Sequence, residues 1–314
     1  MTPIELSVAA KRAARELGFD ACGIADLRPS DTRTAFDAWL EHGYHGEMAY
    51  MARQAPVRRE PNRAWAEARS IVVVLHNYYQ PQVRVGGRAR LARYAQGDDY
   101  HRVMKQLLNG LGEAVVTAAG SGRTRAFVDA GPLPERELAQ RAGLGWFGKN
   151  TMLISPRLGS FTFIGVVLTD LELARDEPFE ADRCGTCRRC LDACPTHAFQ
   201  APRVLDATRC VSYLTIESQR DIPEPLRAGV GDNLFGCDIC QDVCPWNTKF
   251  ARETGERRYL PRADAEFPTL EEIVRMDERA FDAALGHTTL ERAGLAGLKR
   301  NARVVLENAT DRST

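Results

Sequence analysis

Eight cysteines between residues 184 and 244 constrain this 314-residue chain more than any other feature. The segment CGTCRRCLDACP starts at Cys184 and matches the bacterial CxxCxxCxxxCP run, in which three thiolates hold one 4Fe–4S cluster and the fourth holds a second. The segment CDICQDVCP starts at Cys237 and has one cysteine fewer, and Cys210 is available to complete the count. The spacing predicts two clusters, with the ligands Cys184, Cys187, Cys190 and Cys244 for cluster one and Cys194, Cys210, Cys237 and Cys240 for cluster two.

A structural zinc site is the alternative for these motifs, because zinc is also held by paired cysteines. Zinc has no use for the third cysteine at this spacing or for the CP that ends both segments, so iron–sulfur clusters are the preferred interpretation. The ninth cysteine, Cys22, lies in the apolar segment DACGIA and is expected in the core.

Composition limits the classes of protein to which the chain can belong. Lys plus Arg and Asp plus Glu both number 42, so the zero net charge argues against a protein that coats nucleic acid non-specifically. No apolar run reaches the roughly 18 residues of a membrane span, and the first residues show neither a signal-peptide hydrophobic region nor a twin-arginine motif. We expect a cytoplasmic protein without membrane contact, in which the cysteines bind metal rather than form disulfides.

Hydrophobic periodicity predicts an α+β fold, with an α/β-like first domain over residues 1–180. Residues 181–250 are expected to form a ferredoxin-like domain for the two clusters, and residues 251–314 a short helical C-terminal segment. The predicted helices cover residues 4–17, 32–41, 100–118, 270–276, 279–285 and 295–308. The predicted strands are residues 20–25 and the segments SIVVVLHNYY, RTRAFVD and FTFIGVVLTD.

Several segments resemble the epoxyqueuosine reductase family, in that family's order and over nearly the whole chain. They are RYAQGDDYH, FVDAGP, AGLGWFGKNTMLI, GSFTFIG, both cysteine segments, CVSYLTIE and GLKRNARVVLEN. The resemblance implies an oxidoreductase that uses one cobalamin and two 4Fe–4S clusters to reduce epoxyqueuosine to queuosine at the wobble position of tRNA, the last step of queuosine biosynthesis. It also implies a separate electron donor such as a flavodoxin or a ferredoxin, and we expect a monomer.

Asp129 is the predicted proton donor, because removal of an epoxide oxygen consumes two electrons and two protons. It ends the strand RTRAFVD, where α/β proteins place functional side chains, although an aspartate there is often only a turn cap. Burial is expected to raise its pKa, and the matching aspartate of the family is its proposed proton donor. His101, within RYAQGDDYH, is a candidate to face the same pocket. By resemblance, the cobalamin contacts are Arg58, Asp129, Ile154, Ser212 and Asp238.

Lys299, Arg300 and Arg303 lie in the segment GLKRNAR and are predicted to contact the tRNA backbone. An amphipathic helix here would present cations to phosphates, although such a cluster is more often a solvated face. The resemblance to a family that modifies tRNA favours RNA contact.

Two other functions fit part of the sequence. A corrinoid reductive dehalogenase would share the cofactors, but such enzymes usually carry a twin-arginine export signal. Function as an iron–sulfur electron-transfer protein would account for the clusters but would not explain the first 180 residues.

Overall fold

Helices and short strands alternate along the computed structural model, which describes residues 1–86, 88–129, 131–262 and 267–311. The strands are β1 (Ala21–Ala25), β2 (Ser70–Asn77), β3 (Arg84–Val85), β4 (Ala89–Leu91), β5 (Thr124–Val128), β6 (Trp146–Phe147), β7 (Leu153–Ile154), β8 (Thr162–Thr169), β9 (Phe199–Ala201), β10 (Val204–Leu205) and β11 (Asn233–Phe235). The helices are α1 (Pro3–Glu16), α2 (Arg33–Glu41), α3 (Ala49–Arg53), α4 (Ala55–Arg59), α5 (Tyr100–Ala119), α6 (Glu135–Arg141), α7 (Arg189–Asp192), α8 (Val211–Ile216), α9 (Glu224–Val230), α10 (Ile239–Asp242), α11 (Pro245–Phe250), α12 (Leu270–Arg275), α13 (Glu278–Ala284) and α14 (Gly294–Asp311). Within these residues, no helix combines the length and the apolar character needed to cross a membrane.

A four-stranded sheet in the order β1-β2-β8-β5 forms the centre of the N-terminal half, and every neighbouring pair in it is antiparallel. β2 is a middle strand, and each of its residues is buried. It pairs with β8 along its full length, with Val73 opposite Val166. The predicted α+β class is confirmed, and the sheet of its α/β-like domain is antiparallel throughout.

Helices cover both faces of this sheet. On one face, α1 and α5 pack over β2, where Leu108 joins Val72 and Val74 in a single apolar cluster. On the other face, Leu138 of α6 joins Val73. Because successive side chains of a strand point to opposite faces, a strand covered on both sides is continuously apolar, as SIVVVLHN is.

The C-terminal helices pack against the β3–β4 hairpin. β11 pairs with β4 in parallel, and one apolar cluster joins Val85 and Leu91 of the hairpin to Leu234, Ile273 and Leu298. The helices expected near residues 270, 280 and 295 are confirmed as α12, α13 and α14. Contacts therefore cross the expected domain borders at residues 180 and 250, and those borders remain a prediction.

Arg300 lies in the interior on α14, with 9% of its surface exposed. Its guanidinium donates hydrogen bonds to the backbone carbonyls of Leu214, Ser218 and Arg220. These bonds fix α14 to the end of α8 and to the loop that follows it. The expected tRNA contact at Arg300 is incompatible with this burial, because the guanidinium is already occupied inside the protein.

Arg300→Ala is expected to lower the free energy of unfolding by about 3 kcal/mol, because three buried carbonyl groups lose a charged donor. Urea unfolding of the cluster-loaded protein measures the change. Arg303→Ala truncates an exposed side chain on the same helix and is expected to change stability by less than about 0.5 kcal/mol. Reduced tRNA affinity at unchanged stability would contradict the structural role of Arg300.

Candidate active site

The cysteines predicted for cluster one lie together. Burial raises the pKa of Cys190, and the neighbouring thiolates of Cys184 and Cys244 add to that effect. Cys184 and Cys187 likewise add to the raised pKa of Cys244, after the effect of burial. Pro245 begins α11 directly after Cys244, which is a position where a helix accepts proline. The distant Cys244 therefore joins the three cysteines of the first motif.

The cysteines predicted for cluster two form a second group. Burial raises the pKa of Cys237 to about 12, and Cys210 and Cys194 add to the effect. Burial also raises the pKa of Cys240 well above its usual value, and Cys237 and Cys210 add to it. Cys210, which no local motif marks, therefore lies with this group. Cys190 of cluster one also contributes to the shift at Cys240, so the two groups are adjacent.

Asp129 follows β5 and adopts a left-handed backbone conformation with φ +50°, which aspartate tolerates better than most residues. Its amide donates a hydrogen bond of 2.8 Å to Glu135 of α6. Its side chain is 63% exposed and lies in an open cleft. The protein around the cleft still removes enough water from the carboxyl group to oppose its ionisation. Arg136 is exposed beside Glu135. From the cleft, the rings of Tyr100, Tyr94 and Phe235 lead to the segment before Cys237 of cluster two, with centroids 5.8 and 6.3 Å apart.

His101, in the first turn of α5, connects two carboxylates. Its Nδ1 lies 2.7 Å from Oδ1 of Asp99, and its Nε2 lies 3.3 Å from Oδ2 of Asp129. Burial opposes protonation of His101, but the hydrogen bonds to Asp129 and Asp99 outweigh it and raise its pKa to about 9. Because a carboxylate faces each ring nitrogen, both nitrogens carry protons at neutral pH.

The expected raised pKa of Asp129 is wrong. Burial opposes its ionisation, but the hydrogen bond and the positive charge of His101 outweigh burial, so the pKa of Asp129 lies below its usual value. Burial and the charge of Asp129 instead raise the pKa of Glu135 to about 8. An ionised Asp129 thus lies between two groups that hold protons at neutral pH.

Tyrosines line the region between Asp129 and cluster two. Tyr94 and Tyr100 pack edge to face, with ring centroids 5.8 Å apart. Burial raises the pKa of both hydroxyls, and Asp129 adds to the effect on each. Asp238, beside Cys237, adds to the shift at Tyr94. These hydroxyls therefore stay neutral and able to donate hydrogen bonds.

Three of the predicted cobalamin contacts, Arg58, Ser212 and Ile154, lie in separate parts of the structure and differ in burial and in hydrogen bonding. Arg58 ends near the carbonyl of Leu133, at 3.2 Å, and its buried Nε has no hydrogen-bond partner within the described ranges. Ser212, in the first turn of α8, is half-buried, and its hydroxyl makes no hydrogen bond to any described residue. Ile154 is 1% exposed and packs against Cys244, beside cluster one. Arg58 and Ser212 keep donors free for a ligand, and all three contacts remain predictions.

Asp238 is buried, and its carboxylate is occupied. Its Oδ2 accepts hydrogen bonds from the backbone amide of Arg93 at 2.8 Å and from the guanidinium at 3.2 Å, and its Oδ1 accepts one from Gln241. Burial raises the pKa of Asp238 to about 6, against the effect of Arg93. The side chain therefore fixes the cluster-two loop to the segment that carries Arg93, and the cofactor contact remains a prediction.

A pocket of about 260 Å³ opens beside the cleft and is lined by Glu47, Tyr50, Ile216, Glu217, Gln219 and Arg292. Arg292 binds Glu217 through two nitrogens, at 2.7 and 3.1 Å, and lies 5.6 Å from the centre of the Tyr50 ring. Asp129 contributes to the pKa shifts of both Tyr50 and Arg292. Sequence reasoning missed this pocket because its residues come from three distant segments without a local motif.

Two family models match parts of the chain. Residues 183–247 match the 4Fe–4S double cluster binding domain, which confirms the two predicted clusters. Residues 58–130 match the family described as Epoxyqueuosine reductase QueG, DUF1730. The second match includes Asp129, Asp99 and His101 of the cleft.

Curated relatives align over almost the whole chain. The epoxyqueuosine reductase of Cyclobacterium marinum is 40% identical over 303 residues, which cover 96% of each chain. That of Pseudomonas aeruginosa is 39% identical, over 98% of this chain and 86% of the relative. That of Escherichia coli is 37% identical, over 98% of this chain and 83% of the relative.

Solved structures agree with these alignments. A crystal structure of epoxyqueuosine reductase with an epoxyqueuosine-modified tRNA-Tyr stem loop superimposes with a TM-score of 0.88 at 30% identity, over 98% of this chain and 83% of that chain. A B12-dependent reductive dehalogenase matches with a TM-score of 0.51 at 18% identity, over 96% of this chain and 38% of that chain, which shows a shared fold alone. Since relatives near 40% identity span almost its full length, the chain belongs to the epoxyqueuosine reductase family of oxidoreductases.

Proposed function

We propose that this protein reduces epoxyqueuosine in tRNA to queuosine, with one cobalamin as the reducing cofactor and the two 4Fe–4S clusters as its electron supply. One observation carries the proposal: the rings of Tyr100, Tyr94 and Phe235 follow one another from His101, which binds Asp129, to the segment directly before Cys237 of cluster two. Proton donors and an electron source thus meet in one place. The activity named for the relatives and the modified stem loop in the solved complex support this substrate.

The predicted contact residues fit a cobalamin. Its amide and phosphate groups accept hydrogen bonds, and the unpartnered Nε of Arg58 and the free hydroxyl of Ser212 are available donors. A dehalogenase with this fold carries out B12-dependent chemistry, so the fold is compatible with a corrin. When bound, cobalamin supplies a low-valent cobalt that carries the two electrons of the reaction.

The protein supplies the protons. Reduction of an epoxide to an alkene consumes two electrons and two protons and releases water. His101 presents a proton at Nε2 toward Asp129, while Asp99 holds its other N–H. Glu135 holds a second proton at neutral pH. We assign Asp129 the role of a relay that takes a proton from these neighbours and delivers it to the leaving oxygen.

Activity is expected to fall as the pH rises through about 9, because His101 then loses the proton that it donates. His101→Gln keeps a hydrogen-bonding side chain that cannot titrate, and it is expected to lower kcat about 10²-fold and to abolish the limb near pH 9, so that only the loss caused by deprotonation of Glu135 near pH 8 remains. Queuosine formation at saturating tRNA, followed over the neutral and alkaline range, checks both effects. His42→Gln changes an exposed histidine and is the matched control. A limb near pH 9 that persists in His101→Gln would assign that titration to another group.

We assign the 260 Å³ pocket to the base of the substrate. Epoxyqueuosine is a 7-deazaguanine derivative, whose base edge presents N–H donors and a carbonyl acceptor. The carboxylates of Glu47 and Glu217 match the donors, and the guanidinium of Arg292 matches the acceptor. Glu217 pairs with Arg292, and Glu47 pairs with Arg220 and the amide of Gln219, so the base edge replaces part of these interactions when it binds. The ring of Tyr50 offers a surface on which a base can stack. The adjoining cleft then receives the epoxide-bearing group.

Lys299 and Arg303 remain the predicted phosphate contacts, one turn apart on α14. The double variant Lys299→Ala/Arg303→Ala is expected to weaken tRNA binding and to reduce the slope of log Kd against log salt by about 2, since each phosphate contact contributes about one. Fluorescence anisotropy across a salt series measures the slope. Arg12→Ala/Arg15→Ala removes the same charge from exposed positions of α1 and serves as the control. Equal slopes in wild type and the α14 variant would locate the RNA surface elsewhere.

Anaerobic incubation of the cobalamin- and cluster-loaded enzyme with reductant and epoxyqueuosine-containing tRNA tests the proposed reaction. Digestion to nucleosides and mass spectrometry are expected to show queuosine. Absence of conversion by fully loaded protein would overturn the proposal. The cytoplasmic location, the monomeric state and a flavodoxin or ferredoxin as donor remain predictions, which cell fractionation, light scattering and donor assays address.

A further inference from the structure

A loop that reaches the solvent carries three of the predicted ligands of cluster one. The loop with Cys184, Cys187 and Cys190 is exposed at Gly185 and Thr186 and again at residues 188 and 189. By contrast, residues 233–236, which lead to Cys237 and Cys240 of cluster two, are buried. An electron from a soluble donor therefore has a way in through the loop of cluster one.

Cations surround this exposed loop. One is Lys149, whose Nζ donates to the carbonyls of Gly185 and Cys187. The others are Arg183, Arg188, Arg189, Arg203 and Lys249, and we call all six the basic rim. The carboxylates nearby are Glu180, Asp182 and Asp192. Asp182 pairs with Arg203 at 2.6 Å, and Asp192 pairs with Arg188 at 3.5 Å. Among the described residues, no carboxylate lies within ion-pair distance of Arg183, Arg189 or Lys249, so the basic rim has a net positive charge.

Aromatic side chains join the basic rim to cluster one. The indole N–H of Trp246 donates to the carbonyl of Arg183 at 3.3 Å, and its ring stacks on Phe250, over which Lys249 lies. Trp146 packs edge to face on Trp246, and its Nε1 is 3.5 Å from the Sγ of Cys184. A partner that settles on the half-buried Trp246 is thus in contact with the surroundings of cluster one.

We propose that the basic rim and Trp246 form the docking surface for a small acidic electron-carrier protein. The inference rests on the proposed function, which needs two electrons per turnover. In each encounter the reduced carrier gives one electron to cluster one, so the carrier is oxidised, the cluster is reduced, and no bond forms or breaks. The electron then passes to cluster two, because α7, which carries Cys190, packs against α10, which carries Cys240.

Transfer RNA is the other polyanion that a positive surface could attract. The modified base must reach the cleft of Asp129, and the rings of Tyr100, Tyr94 and Phe235 connect that cleft to the segment before Cys237 of cluster two. The basic rim borders the other cluster. Attraction between opposite charges accelerates association and suits a brief encounter that must end after each electron, which favours the carrier at this surface.

The double variant Arg189→Glu/Lys249→Glu tests the docking surface, because it reverses two cations that have no carboxylate partner. Flavodoxin reduced to its hydroquinone is the probe, and stopped-flow absorbance follows cluster reduction in the absence of tRNA. The second-order rate constant at low salt is expected to fall at least about tenfold, and its dependence on salt is expected to weaken. Reduction by dithionite, iron content and the control Arg12→Glu/Arg15→Glu on α1 are expected to match wild type.

An unchanged rate with flavodoxin would overturn the inference, and so would a loss of tRNA affinity at an unchanged flavodoxin rate. If charge reversal lowers the iron content, the neutral variant Arg189→Gln/Lys249→Gln replaces it, and an unchanged flavodoxin rate there is equally contradictory. Because this assay contains no tRNA, it tests docking separately from the reaction. The nucleoside assay with dithionite tests the reaction separately from docking.

Discussion

Asp129→Asn is expected to lower turnover by about 10²–10⁴-fold while the fold and the cofactors stay in place. Asparagine has nearly the same shape and tolerates the φ of +50°, so the backbone bond to Glu135 is retained. The substitution removes one of the two carboxylates that raise the pKa of His101, so that pKa is expected to fall as well. Single-turnover formation of queuosine measures the first effect, and an NMR titration of His101 measures the second.

Asp98→Asn is the matched control for this variant. Asp98 is exposed in the segment before α5 and pairs with Arg262, so its substitution leaves the cleft intact. Turnover in Asp98→Asn is expected to stay near wild type. The corrin absorbance of Asp129→Asn separates two roles: loss of cobalamin would show that Asp129 mainly holds the cofactor, whereas an intact spectrum with slow turnover supports the proton relay.

Cys240→Ala is expected to abolish turnover, because it removes a predicted ligand of the cluster to which the rings of Tyr100, Tyr94 and Phe235 lead from the active cleft. Iron content is expected to fall from about eight to about four atoms per chain as one cube is lost. Stability is also expected to fall, since cluster binding and folding are coupled. Iron analysis and electron paramagnetic resonance of the reduced protein measure the loss.

Cys22→Ala is the control for the cluster variants. Cys22 lies in β1 against the main apolar core and outside both cysteine groups, so both clusters and full turnover are expected to remain. Cys210→Ala is expected to behave like Cys240→Ala. Retention of both cluster signals in Cys210→Ala would refute the assignment of Cys210 as a ligand.

The features that the sequence predicts well are those with a local cause. The spacing of Cys184, Cys187 and Cys190 is set by one loop around one cube, so the motif alone identifies them. The long helices can also be predicted from the sequence, because α1, α5 and α14 show helical periodicity of apolar residues over several turns. Counting the cysteines also singled out Cys210, because the two motifs together supply seven of the eight thiolates that two clusters need.

The features that the sequence did not predict depend on which groups meet in space. Arg300 looks like a surface cation until α8 places three carbonyl groups around it. The ionised state of Asp129 depends on His101, which is 28 residues away and approaches only because α5 packs beside β5. A pKa follows the balance of burial and charge, and a strand end alone does not reveal that balance.

The pairing of β4 with β11 has a consequence for synthesis in the cell. β11 leaves the ribosome roughly 140 residues after β4, so the apolar hairpin lacks its neighbour for nearly half of translation. Cys237 and Cys240 emerge directly after β11. The step that covers the hairpin therefore also completes the ligand set of the second cube. Chains released before residue 233 would expose apolar surface to aggregation and would offer the iron–sulfur delivery machinery no complete ligand set for either cube.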